Sequence, residues 1–160
     1  MERVAEDQAS LSPLQTPPLP GPGQSSTWHG LYGAARPLAI AACANAHTGG
    51  PVLVIVADSA ALVRTEQALR FFAPELPVLV LPDWETLPYD RFSPYQDIIS
   101  DRISTLSRLP HLDAGLVLVS VHTAMHRFAP RKWLAGQSFN LVTGETLDRE
   151  GFRLQLEHAG

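Results

Sequence analysis

The segment Leu81–Leu109 reads LPDWETLPYDRFSPYQDIISDRISTLSRL and is the most informative part of the chain. Its first half concentrates tryptophan, tyrosine, phenylalanine and proline, a composition that favours a stiff loop that packs against something or binds a partner. Its second half predicts a helix, because apolar residues recur there at helical spacing and would form one buried stripe. The residues of this stripe are Ile98, Ile99, Ile103, Leu106 and Leu109.

The start of this helix has a recognisable capping pattern. Ser93 is the predicted N-cap, Pro94 occupies the first helical position, and Gln96 completes a capping box three residues after the cap. A proline-rich loop that leads into a core helix is therefore the structural interpretation of the whole segment.

The same segment resembles the N-terminal module of the bacterial transcription-repair coupling factor, Mfd. The resemblance rests on the strings DWETLPYD, FSP and QDIIS and on the R-STL-L pattern that follows them, and it continues at lower identity from about Gly30 to Gly160. The residues that carry the signature are Asp83, Trp84, Glu85, Pro88, Tyr89, Asp90, Ser93, Pro94, Gln96 and Asp97.

The resemblance implies a role within a larger protein. Members of this family are multidomain ATP-driven DNA translocases that displace RNA polymerase stalled at lesions and recruit the excision-repair machinery. ATP and magnesium would act in a C-terminal motor, and RNA polymerase and DNA would contact downstream domains. The N-terminal module resembles the first two domains of UvrB with the nucleotide site lost; it would bind UvrA and contact other domains to hold the full-length protein in check.

The resemblance assigns no UvrA-contacting residue to this chain, because those residues lie in the second domain, mostly beyond Gly160. The implied piece is thus a non-catalytic adaptor, with no catalytic residue, cofactor or metal of its own. We expect it to be an N-terminal fragment that ends just inside that second domain.

The turn before the first predicted helix bears on nucleotide binding. A phosphate-binding loop has the form G-x-x-x-x-G-K-[ST], in which the lysine contacts the phosphates and the hydroxyl binds magnesium. On the UvrB-like alignment, Gly30 and Gly33 remain, Ala35 replaces a glycine, Arg36 stands at the lysine position and Pro37 stands at the hydroxyl position. Proline cannot bind magnesium and lacks an N–H group, so a degenerate loop without bound nucleotide is predicted.

Two alternatives to the adaptor remain open. A weak NTPase could use Arg36 to hold phosphate, since arginine also binds phosphate. A generic nucleotide-binding or small-molecule-binding α/β domain would instead hold its ligand at the carboxyl ends of the strands, near Ala57 and Ser120.

Two further groups of residues could carry chemistry. His122 and His126 lie one helical turn apart and could bind a metal, but no acidic or cysteine partner is suitably spaced in the sequence, so surface positions are predicted. Asp83, Glu85 and Asp90 could imitate a paired-carboxylate site. The preferred interpretation is that these carboxylates cap turns near the adjacent prolines.

Composition restricts the class of protein. The 160 residues are 45% hydrophobic and 18% charged with a formal net charge of −4, which fits a globular domain and is a poor match for duplex DNA. Arg127, Arg131 and Lys132 form a small basic cluster, interpreted as a solvated face. The single cysteine, Cys43, lies in an alanine-rich helical run and should be buried, and no signal peptide or membrane span is recognisable. A cytoplasmic protein without membrane partners is predicted.

Alternating strands and helices predict an α/β fold, a parallel sheet with helices on both faces, of degenerate P-loop helicase-like type. The predicted division is a disordered Pro/Gly-rich tail over 1–26 (or, alternatively, a polyproline II ligand), a UvrB-like domain over 27–135, and the beginning of a second small α+β domain of UvrA-binding type over 136–160. The predicted strands are Val52–Val56, Val78–Leu81, Leu116–Ser120 and Phe139–Val142, and the predicted helices are Pro37–Ala46, Ala60–Phe72, Ile98–Leu109, His122–Phe128 and Thr146–His158.

Overall fold

Three parallel strands form the sheet: β1 (Val52–Val56), β2 (Val78–Leu81) and β3 (Leu116–Ser120), in the spatial order β1-β3-β2. The computed structural model describes residues 19–86, 91, 93–137, 141, 143–144 and 146–159. Its helices are α1 (Ala35–Ala46), α2 (Ser59–Phe72), α3 (Gln96–Arg108), α4 (Val121–Ala124), α5 (Arg131–Gln137) and α6 (Arg149–Ala159), and a 3-10 turn covers Leu109–His111.

The central strand β3 is buried along its whole length. Leu118 pairs with Val54 on one side and with Val80 on the other, so β3 takes backbone hydrogen bonds from both neighbours. A short run of apolar residues without polar alternation is what a buried parallel strand requires. The predicted α/β class with a parallel sheet is therefore confirmed, while its helicase-like character stays a prediction.

The main core lies between the sheet and the first two helices. Ala41 of α1 and Leu69 of α2 pack with Val54 and Leu118 on one face of the sheet. Cys43 is buried in α1, as predicted, and burial raises the pKa of its thiol. The small alanine side chains of α1 allow it to lie close to α2, with which it makes its main helix contact.

The second face of the sheet is covered only in part. Helix α3 packs against β2, where Leu79 and Leu81 are buried. On β1 the same face carries Leu53 and Ile55, which are 59% and 56% exposed. Among the described residues, helices therefore cover both faces over β2 and β3, whereas Leu53 and Ile55 of β1 are exposed.

Local hydrogen bonds explain where two helices begin. Asp58 is the N-cap of α2, and its Oδ1 accepts from the Ala61 N–H at 2.6 Å. Ser120 ends β3 and caps α4, its hydroxyl oxygen accepting from the Thr123 N–H at 3.1 Å. Both residues are of the types that prefer the N-cap position.

The predicted start of α3 is wrong. The helix begins at Gln96 with Tyr95 at the N-cap and no side-chain capping bond, so Ser93 and Pro94 lie outside it and no capping box forms. The predicted apolar stripe is also wrong in part, because Ile103 and Leu109 are exposed and the buried residues are Arg102 and Thr105. The carbonyls at the end of β2 need hydrogen-bond donors, and these two polar side chains supply them.

The end of the chain departs from its predicted elements. Helix α4 is shorter than His122–Phe128, and α5, which was not predicted, runs across residue 136. Helix α6 begins at Arg149 and not at Thr146, since the Phe152 N–H donates to the Asp148 carbonyl. Most of the predicted strand Phe139–Val142 and the terminal Gly160 lie outside the described residues, as does 1–18 of the predicted tail. The three-part domain division stays a prediction.

None of the helices in the described part of the chain combines the length and the apolar character needed to span a bilayer.

Candidate functional site

The carboxyl ends of β2 and β3 bring together the residues with the most chemistry in the fold. The chain leaves β2 through Pro82, Asp83 and Trp84, and it leaves β3 directly into α4, which carries His122. Because the two strands are parallel neighbours, both exits lie at one edge of the sheet. This edge is the place where open α/β sheets usually bind ligands.

Arg102 of α3 holds the first residues after β2, Pro82 and Trp84, in place. Its side chain is buried, at 3% exposure, and its guanidinium carbon lies 4.1 Å from the centre of the Trp84 ring and 6.0 Å from that of Phe128. Its Nη1 donates to the Pro82 carbonyl. Burial lowers the pKa of Arg102, although the charge of Asp83 acts in the opposite direction.

Asp83 is fixed by two partners. Its Oδ1 accepts from the Trp84 N–H at 2.8 Å, and its Oδ2 lies 3.0 Å from Nδ1 of His122. Burial raises the pKa of Asp83, but the hydrogen bonds from Trp84 and His122 and the charges of His122 and His126 outweigh it, and the pKa is lowered. The capping of a turn near Pro82 by this carboxylate stays a prediction, because the bond to Trp84 joins neighbouring residues.

Asp83, His122 and His126 form one cluster, which we call the Asp-His-His cluster. One ligand-type atom from each residue lies within 4.8 Å of those of the other two. The rings of the two histidines meet edge to face with centroids 4.6 Å apart. The expectation that the histidines have no acidic partner is therefore wrong, because Asp83 reaches them from 39 positions away in sequence.

The two histidines differ in exposure. The His122 side chain is 61% exposed, as a surface position requires. His126 is half-buried, and its Nδ1 is buried without a hydrogen-bond partner among the described residues. A signal for this cluster existed in the sequence, since both segments directly follow predicted strands, but the β1-β3-β2 order that makes those strands neighbours was not predictable.

Other signature residues lie away from the cluster or outside the described residues. Glu85 is exposed, with a left-handed φ of 58°. Ser93, Gln96 and Asp97 are exposed and Pro94 is half-buried at the start of α3. Pro88, Tyr89 and Asp90 are outside the described residues, as is the turn that Asp90 was predicted to cap.

The glycine turn before α1 is a separate, open feature. Gly30 and Gly33 have positive φ angles of 75° and 53°, which glycine adopts readily. Ala34 is the N-cap without a side-chain capping bond, Arg36 is exposed, and Pro37 lies in the first turn of α1. The turn borders a groove of about 680 Å³ that is also lined by Trp28 and Tyr32. In the described part that precedes α1, residues 19–34, no strand leads into this turn.

Two other predicted features can be placed. Arg127, Arg131 and Lys132 are exposed, as expected for a solvated face. Near the strand ends where a generic ligand was considered, the Ser120 hydroxyl is buried and lies 3.0 Å from Oγ1 of Thr123.

Comparison with curated proteins finds three informative relatives, each named transcription-repair-coupling factor. The chain is 42% identical to the Escherichia coli protein over 130 residues, which cover 81% of this chain and 11% of that protein. It is 39% identical to the Haemophilus influenzae protein over 108 residues (68% of this chain, 9% of the relative) and 34% identical to the Mycobacterium tuberculosis protein over 89 residues (51% and 7%). The chain thus spans about a tenth of the length of these relatives. No protein-family model matches the chain.

Proposed function

Because the chain belongs to the transcription-repair coupling factor family, we propose that it is a non-catalytic adaptor module of such a protein and works through protein contacts. In this proposal the whole protein displaces stalled RNA polymerase from damaged DNA by ATP-dependent translocation and recruits UvrA for nucleotide excision repair in the cytoplasm. Those activities belong to segments outside the 160 residues.

The observation that carries this proposal is the glycine turn before α1. A phosphate loop needs a lysine and a hydroxyl at its last two positions, and here Arg36 and Pro37 occupy them. Pro37 offers neither an N–H group for phosphate nor an oxygen for magnesium. The turn therefore leads into a helix but lacks the lysine and the hydroxyl of a phosphate loop.

The sheet edge supports the same proposal. Arg102 contacts both the Trp84 ring and the Pro82 carbonyl. These contacts hold the start of the loop after β2 against α3. Loop residues that a scaffold holds in position suit a surface that partners recognise. UvrA would be contacted mainly through the second domain, and the other domains of the full-length protein would pack on this one.

Isothermal titration of the chain with Mg·ATP tests the proposal. We expect no binding at micromolar nucleotide and no phosphate release; micromolar binding with turnover would reject the adaptor. The variant Arg36→Ala is compared with Arg64→Ala, an exposed arginine of α2 that serves as the control.

A second candidate, weak nucleotide binding without hydrolysis, is favoured by the 680 Å³ groove beside Arg36, in which Trp28 and Tyr32 could stack on a base. It predicts a weak titration signal that disappears in Arg36→Ala and persists in Arg64→Ala. The weak NTPase predicts the same pattern together with phosphate release, so the two readouts separate all three functions.

A further inference from the structure

We infer that the Asp-His-His cluster is a binding site for a divalent transition-metal ion of the zinc type, held between the ends of β2 and β3. Two imidazoles and one carboxylate are a ligand set that zinc accepts in proteins, with a fourth position left for water. Imidazole ligands favour zinc and its neighbours in the transition series over magnesium or calcium, which prefer oxygen ligands. The inference is independent of nucleotide binding and of the adaptor role.

The geometry of the three side chains is close to what such an ion needs. An ion with four bonds of about 2.0–2.1 Å keeps its donor atoms roughly 3.3 Å apart. The Nδ1 of His122 and Oδ2 of Asp83 are 3.0 Å apart, and the donor atoms of the whole cluster lie within 4.8 Å of one another. Side-chain rotations that move the donor atoms by about an ångström would therefore close the site without a change in the backbone.

The backbone under the two histidines is well defined. The Met125 N–H donates to the Val121 carbonyl at 3.2 Å and the His126 N–H to the Thr123 carbonyl at 3.1 Å, which completes a helical turn. His126 lies two residues beyond the end of α4, and this turn brings its ring into contact with that of His122. The carboxylate is oriented as well, since the Trp84 N–H holds its other oxygen. Outer contacts of this kind are typical of ligands in metal sites.

A second observation points to a missing partner. The Nδ1 of His126 is buried and has no hydrogen-bond partner among the described residues. Leaving a buried polar nitrogen unpaired is costly, and such an atom needs an explanation. A metal ion bound directly at this Nδ1 would supply the partner.

Charge and access are compatible with an ion. An aspartate carboxylate is ordinarily ionised at neutral pH, so the ligand set carries one negative charge. The exposed side of His122 leaves a path from solvent and room for a water ligand. The positive charge of Arg102 acts on the same carboxylate and will reduce the affinity.

The test is titration of the full 160-residue chain with zinc chloride, with binding measured by isothermal titration calorimetry. Absorption of cobalt(II) bound in place of zinc reports the ligand geometry. We expect one zinc ion per chain at micromolar affinity or tighter, and no binding of magnesium. His122→Ala and His126→Ala should each weaken zinc binding at least about tenfold. His47→Ala removes an exposed histidine elsewhere and should change nothing.

Thermal unfolding separates a lost site from a lost fold. Zinc should raise the melting temperature of the parent chain and of His47→Ala, because an ion that binds only the folded state stabilises it. It should not raise that of His122→Ala, whose exposed position leaves the fold intact. The inference is overturned if the parent chain does not bind zinc, or if binding survives both histidine substitutions. The cluster would then be only a hydrogen bond between Asp83 and His122.

Discussion

Arg102 brings a positive charge into the interior, where it contacts the Trp84 ring and the Pro82 carbonyl. Both partners lie in the loop after β2, and Arg102 itself lies in the R-STL-L part of the signature. Thr105 of the same pattern donates to the Val80 carbonyl at 2.7 Å. The two halves of the signature therefore contact each other, which gives a structural reason for finding them together in one segment.

Replacing Arg102 should destabilise the chain. Arg102→Ala leaves the part-buried Pro82 carbonyl without this donor and removes the contact with Trp84, so we expect a loss of about 2–3 kcal/mol in the free energy of unfolding. Arg108→Ala, at an exposed position of the same helix, should cost less than about 0.5 kcal/mol. Urea unfolding of both variants measures the difference, and equal losses would show that the buried contacts contribute nothing.

Asp83 should make stability depend on pH in the acid range. Its folded-state pKa is lowered, so below the ordinary value of about 3.9 the unfolded chain binds more protons than the folded chain. The stabilisation is therefore present above the unfolded-state pKa and is lost as the pH falls through the folded-state pKa. Asp83→Asn should flatten this acid-side loss in unfolding curves recorded from about pH 6 down to about pH 2. Parallel curves for the two proteins would contradict the assignment.

Some residue-level features were predictable and others were not. The burial of Cys43 followed from its alanine-rich surroundings. The Glu66–Arg70 ion pair, at 2.8 Å, joins residues at the i,i+4 spacing that a helix brings together. The Asp83–His122 contact joins residues 39 positions apart, and no local pattern encodes it. Long-range polar pairs of this kind depend on strand order.

At the scale of elements, the strands were predicted more accurately than the helix ends. The three strands among the described residues have the predicted bounds, since each is a short apolar run between turn residues. The fourth predicted strand, Phe139–Val142, lies mostly outside those residues. The start of α3 was missed because Ser93 and Pro94 have good capping chemistry, but the chain enters the helix through Tyr95. The buried face of α3 was missed because periodicity counts apolar side chains, whereas here Arg102 and Thr105 face the sheet.

The entry into β3 depends on one glycine. Gly115 has a φ of 125°, and a Cβ added there would lie 2.7 Å from Cγ of Pro77 and still closer to the Pro77 carbonyl oxygen. That oxygen accepts from the Leu116 N–H at 2.9 Å, and the Gly115 carbonyl accepts from the Val52 N–H at 2.8 Å. The glycine thus lies where β3 first pairs with both neighbours.

Gly115→Ala should therefore be strongly destabilising. Gly50 is a matched control, because its φ of 124° is nearly the same and its added Cβ would meet nothing within 4 Å. Both substitutions impose backbone strain of about 1–3 kcal/mol, and Gly115→Ala should cost roughly 2 kcal/mol more because of the steric clash. Chemical denaturation gives both values; a Gly50→Ala chain as unstable as Gly115→Ala would show that backbone strain alone matters.

At the scale of the whole molecule, the described residues differ from the prediction of helices on both faces of the sheet mainly at one face of β1. Leu53 and Ile55 are exposed on an edge strand, a combination that promotes association between chains. We expect the double substitution Leu53→Thr and Ile55→Thr to reduce concentration-dependent association in light scattering, at a cost of about 0.5 kcal/mol or less per site.

Leu79→Thr is the comparison for this face. Leu79 lies on β2 on the same side of the sheet but is only 3% exposed, under α3. Its replacement should cost about 2–4 kcal/mol in the free energy of unfolding, because it removes buried apolar volume and buries a hydroxyl. If the substitutions at Leu53 and Ile55 cost as much free energy of unfolding as Leu79→Thr, this face of β1 is buried as well.

The order of the strands has a consequence for how the polypeptide is made. The middle strand comes last, so a nascent chain on the ribosome holds Val52–Val56 and Val78–Leu81 without backbone partners until residues 116–120 have emerged. The two earlier runs do not pair with each other, and both are rich in valine and leucine. A translational pause before Leu116–Ser120 has emerged would leave both runs exposed to chaperones or to one another. Emergence of that strand would end the exposure.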